Sequence, residues 1–144
     1  MELTDTEKLL KECDAGAKMA VTSIDEVLEK VSDDNLKQLL QESKSSHEKL
    51  GDKIHSLLIS HGVEEKEPSL MAKGMSWMKT NMKLGMDNSD ATVADLITDG
   101  CDMGVKSLSR YLNQYKQADD VSKGICGRLV AIEEKLCKDL RQYL

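Results

Sequence analysis

The chain has 144 residues, of which 40% are hydrophobic and 32% charged, and its net charge is -6. That length fits one domain, residues 1–144, with a core large enough to need neither metal nor disulfides. Acidic and basic residues interleave without forming a basic stripe that tracks a phosphate backbone, so nucleic acid is not an expected partner.

In chain order, Thr4-Asp5-Thr6-Glu7 carries a capping-box signature, and Leu10, Cys13, Ala17, Val21, Ile24, Leu28 and Val31 follow at helical spacing. Ser32-Asp33-Asp34 supplies a stop and a new N-cap. Leu36, Leu40, Leu50, Ile54, Leu57 and Leu58 then recur up to Gly62, which predicts a second helix over about residues 33–61. Acidic Glu64-Glu65-Lys66-Glu67 reads as a linker, and Pro68 suits the first turn of a short helix that ends near Leu84.

After the break at Gly85–Asp90, Val93, Ile97, Cys101, Gly104, Leu108, Leu112 and Tyr115 mark a long helix ending near Ala118. Asp119-Asp120 caps the last helix, with the stripe Val121, Ile125, Leu129, Ile132, Leu136, Leu140 and Tyr143. One Pro, nine Gly and no Phe agree with helix almost throughout. No repeat of fixed period supports a solenoid.

Four helices of roughly 25 to 30 residues are each close to 40 Å long, and matched stripes pack them side by side as an all-α four-helix bundle. Tight turns join the first to the second and the third to the fourth, whereas about 27 residues, including the short crossover helix, connect the second to the third. The second and third helices are therefore expected to run parallel, as in ferritin-like bundles. The short-helix segment Lys73-Gly74-Met75-Ser76-Trp77, the later Asp99-Gly100-Cys101-Asp102 and the overall length resemble a bacterial ferritin-like family of four-helix-bundle domains of unknown function. That resemblance implies the ferritin-like fold and does not define an activity.

Ferritin-like di-iron proteins use one Glu on each of two helices and Glu-x-x-His on the other two. Here His47 lies central on its apolar face, but Lys44 stands where a carboxylate is required. Glu134-Lys135-Leu136-Cys137 mimics the spacing, yet Glu134 points away from the stripe and Glu133 is nearer the core edge. No inward carboxylate is expected on the first or third helix. The di-iron set reads as degraded.

A different site, for zinc or iron, is the alternative: the topology brings His47, Cys101 and Glu133 to similar depth, with Cys13 about one turn away. The competing reading makes Cys13 and Cys101 small core residues and His47 a hydrogen-bonded core histidine. No base or cation beside Cys101 points to an activated thiol. No phosphate loop, nucleophile elbow or paired-carboxylate motif points to an enzyme.

Met71, Met75, Met78 and Met82, continued by Met86, form a stripe at intervals of three and four. The stripe either packs the crossover onto its own bundle or docks a partner protein or a second subunit. His61 beside Gly62 reads as a helix C-terminal cap, and His55 as solvated. No apolar run approaches the roughly 20 residues that span a bilayer, and MELTDTEKLL is too charged for a signal peptide, so a cytoplasmic protein with reduced thiols is expected. The leading expectation is a non-catalytic structural, interaction or stress-related bundle. The alternative is a small metal-binding or redox protein.

Overall fold

Thr4 opens the first helix by accepting from the Glu7 backbone N–H at 3.2 Å, while the Glu7 carboxylate accepts from the Thr4 N–H at 2.9 Å. This capping box starts α1, Asp5–Leu28. The structure, a computed structural model, describes residues 2–64 and 89–144. The expected short helix near Pro68–Leu84 and the stripe of Met71, Met75, Met78 and Met82 lie outside the described residues.

Asp33 caps α2, Asp34–Ser60, accepting from the Leu36 N–H at 2.8 Å. At its far end Gly62 adopts φ +66°. The Val63 N–H donates to the Leu58 carbonyl at 3.0 Å and the Gly62 N–H to that of Ile59 at 2.9 Å, the paired bonds of a Schellman stop. Ser89 caps α3, Asp90–Gln114, and Asp119 caps α4, Asp120–Leu140, which ends in a 3-10 turn at Arg141–Tyr143. No helix of the described residues is long and apolar enough to cross a membrane.

Side chains at the two ends of the bundle fix the helix directions. The Asp90 carboxylate, in the first turn of α3, accepts from the Ser32 and Asp33 N–H groups at 2.8 and 3.0 Å. At the other end, Asp5 accepts from the Gln117 N–H at 3.0 Å, and Thr6 from the Asp119 N–H at 2.8 Å. The α2 and α3 helices thus start at one end and run parallel, while α1 and α4 start at the other. This is the connection expected from the loop lengths.

The apolar stripes pack into two clusters. Ile24, Leu36, Leu40, Ile97 and Leu140 fill one end, and Leu9, Leu10, Ile54, Leu58 and Leu129 fill the other. The registers differ in places from the sequence expectation. The first helix stops at Leu28, and Val31 is buried from the following turn, because the turn's N–H groups are satisfied by Asp90. The third long helix stops at Gln114, short of Ala118. On α4, Val121 is 56% exposed and Ser122 faces inward in its place. Asp14 is buried on α1, where no inward carboxylate was expected; Lys18, one turn later, pairs with it at 3.0 Å.

Candidate functional site

Between the two apolar clusters lies a polar layer. His47 comes from α2 two turns after Leu40 and one before Leu50, and Glu133 from α4 midway between Leu129 and Leu136, so helical spacing turns both inward. They are 1% and 7% exposed. Nε2 of His47 lies 3.1 Å from Oε1 of Glu133, and Nδ1 lies 2.8 Å from the Ser43 carbonyl. A carbonyl only accepts, so Nδ1 carries a hydrogen. The proton between Nε2 and Oε1 is then held by the pair, since two lone pairs would otherwise face each other in a low-dielectric interior.

Burial opposes a charge on His47, but the hydrogen bond and negative charge of Glu133, with the Ser43 carbonyl, outweigh it. The imidazole is held above its ordinary value. Gly104 of α3 lies directly against the carboxylate: a Cβ there would stand 3.2 Å from Cδ and 3.3 and 3.4 Å from the two oxygens. Cys101, one turn earlier on α3, lies beside Glu133 at a pocket that both border. Burial, and then that negative charge, push its thiol well up, which makes it a poor nucleophile at neutral pH.

The structure therefore brings His47, Glu133 and Cys101 together. Cys13 lies apart from them, buried with Cys126 in the other apolar cluster. Its hydrogen bond to Cys126 and its burial raise its pKa, while Cys126 faces the Leu108 carbonyl at 3.7 Å. Among the described residues, no three His, Cys, Asp or Glu side chains are grouped so as to hold a metal ion. Glu134 is exposed, as its helical angle predicted. Lys44 reaches outward to Asp25 of α1. His61 forms the C-cap of α2, 3.4 Å from Glu7, and His55 is exposed.

One feature went unread in the sequence. The pair, Cys101 and Gly104 border a pocket of about 250 Å³ between α1 and α3. Its signal was the small residues Ala15, Gly16, Ala20 and Ser23 on α1 facing Gly100, Gly104 and Ser107 on α3.

No family model matches the chain, and no curated protein matches it in sequence. Solved structures do match. Dps92 from Deinococcus radiodurans superposes with a TM-score of 0.78 at 15% identity, over 97% of this chain and 86% of that one. A conserved hypothetical protein from Mycobacterium tuberculosis gives 0.74 at 13% identity, over 100% of both chains. The fold is ferritin-like.

Identities this low carry the fold alone. In ferritin-like metal proteins Glu-x-x-His recurs on two helices, and the side chains meet at the bundle centre. Here α2 carries Lys44-x-x-His47 and α4 carries Glu133-x-x-Leu136. His47 of α2 and Glu133 of α4 meet there directly.

Proposed function

We propose that this chain is a non-catalytic ferritin-like scaffold that acts through its surface, in structural or interaction work, and whose di-iron ligand set has been reduced to one buried His–Glu pair. The observation that carries this reading is the 3.1 Å contact between His47 and Glu133. Two irons need several bridging carboxylates and imidazoles. The inward positions of α3 and α4 at this depth hold Cys101, Gly104 and Leu136, the buried carboxylate of α1, Asp14, is paired with Lys18, and Lys44 points to Asp25 at the surface. A partner protein or a second copy bound through Met71, Met75, Met78 and Met82 belongs to the same proposal.

A second reading is a mononuclear zinc or iron site formed by His47, Glu133 and Cys101. It is favoured by the thiol of Cys101 bordering the same pocket as the carboxylate that bonds the imidazole. Binding would release the proton held by the pair and that of the thiol.

Elemental mass spectrometry of protein purified without a histidine tag, beside His47→Ala, separates the two. Far less than one equivalent of metal in both proteins is the expected result. About one zinc or iron per chain, lost in the variant, would replace the scaffold by a metal function, because ligand loss typically costs far more than tenfold in affinity.

A further inference from the structure

We propose that the pocket between α1 and α3 is a binding site for a small, uncharged aromatic molecule bearing one N–H or O–H donor. Protein interiors rarely leave voids larger than a water molecule. Here glycine and alanine face each other across two neighbouring helices and leave about 250 Å³ in a pocket that opens on one side to solvent. An apolar cavity of roughly 150 Å³ already holds benzene, and drug-sized ligands take roughly 300 Å³ or more, so a one- or two-ring molecule fits.

The lining sets the chemistry. Ile24, Ile97, Leu108 and Leu136 give apolar walls, and no lysine or arginine is among the described lining residues to hold an anion. The buried polar groups of the lining are the Glu133 carboxylate and His47, while Glu12, Ser23, Ser107 and Tyr111 line the pocket at half-buried positions. Oε1 of the carboxylate is engaged by His47, and the α3 backbone at Gly104 packs against the carboxylate without a side chain, so that Glu133 still borders the pocket. A carboxylate has about four acceptor positions, so a ligand donor is accommodated beside the imidazole and the thiol. The proton on the pair already offsets the negative charge. An added cation would lose its hydration for little gain, whereas a neutral donor satisfies the acceptor without that cost.

The test is a titration of the full chain with indole, p-cresol and toluene, following the backbone amide resonances of Gly16, Gly100 and Gly104. Indole and p-cresol are expected to shift these resonances saturably. Toluene, which is p-cresol without its hydroxyl, is expected to bind about tenfold more weakly, the loss set by one hydrogen bond to a charged acceptor. Ala20→Phe and Ser107→Leu fill the pocket from opposite walls, and each is expected to abolish the shifts while circular dichroism shows the helices intact. Unmoved resonances at millimolar indole and p-cresol would overturn the site. Equal binding of toluene would overturn the donor class, and retained binding in both filled variants would place the ligand elsewhere. Should both variants unfold, the comparison of p-cresol with toluene on the unaltered chain still decides.

Discussion

His47 of α2 and Glu133 of α4 share a proton across 3.1 Å in the polar layer between the two apolar clusters of the core. Breaking such a pair strands the remaining partner. His47→Ala is expected to cost about 3 to 5 kcal/mol, because a buried carboxylate loses its partner. Replacing both residues with leucine removes both desolvation penalties and is expected to recover most of that loss or exceed it. Urea unfolding of the unaltered chain and the two variants reads both effects. A single-variant cost below about 1 kcal/mol would show that water already reaches the carboxylate.

The same pair fixes a pH dependence. His47 in the folded chain stands above its ordinary value, so it binds its proton more tightly folded than unfolded. Its stabilisation is fully present below the unfolded imidazole value of about 6.5 and is lost as pH rises through the raised folded value. The charged or titratable groups facing it are Glu133 of α4 and, beyond it, Cys101 of α3. Urea midpoints are therefore expected to fall on going up from pH 6. The double leucine variant should lack that part of the slope, and a wild-type midpoint that climbs across the window contradicts the assignment.

Two glycine substitutions should separate helix propensity from site geometry. Exposed Gly124 in α4 has nothing within 4 Å of a built Cβ, so Gly124→Ala is expected to stabilise by about 0.5 to 1 kcal/mol. Gly104→Ala gains the same propensity but sets its methyl 3.2 Å from the Glu133 carboxyl carbon, which must shift away. The gain should vanish, and the His47 pKa should fall as its partner withdraws. Thermal melts and a histidine NMR titration measure the two effects.

The fold was legible in the sequence because caps and stripes are local properties. Thr4 with Glu7, Asp33, Gly62 and Asp119 each act at the helix end their chemistry implies. Half of the site was equally legible: at 100° per residue His47 and Glu133 turn inward, and Glu134 turns out. Quantities set between helices were not. Cys13 lies beside Cys126, away from Cys101, because sequence spacing carries no axial register between helices. Asp14 with Lys18 has the spacing of an exposed pair, and only helix packing buries the carboxylate. The pocket depends on how closely α1 and α3 approach, which glycine and alanine positions permit without dictating.

The two helical hairpins hold each other at both ends of the bundle. The turn after α1 has its N–H groups satisfied by Asp90, in the first turn of α3. The turn after α3 is satisfied by Asp5 and Thr6, in the first turn of α1. Each hairpin's turn is thus closed by the other hairpin, at opposite ends of the bundle. Asp90→Ala leaves two N–H groups to water and removes a carboxylate from a helix start, and is expected to cost about 1 to 2 kcal/mol. Thr6→Val keeps the side chain's shape, removes its acceptor and should cost about 1 kcal/mol. The sites share no partner, so the double variant should match the sum within about 0.5 kcal/mol. A larger coupling in urea unfolding would mean that the loss of one closure loosens the whole hairpin interface, including the layer that holds His47 and Glu133.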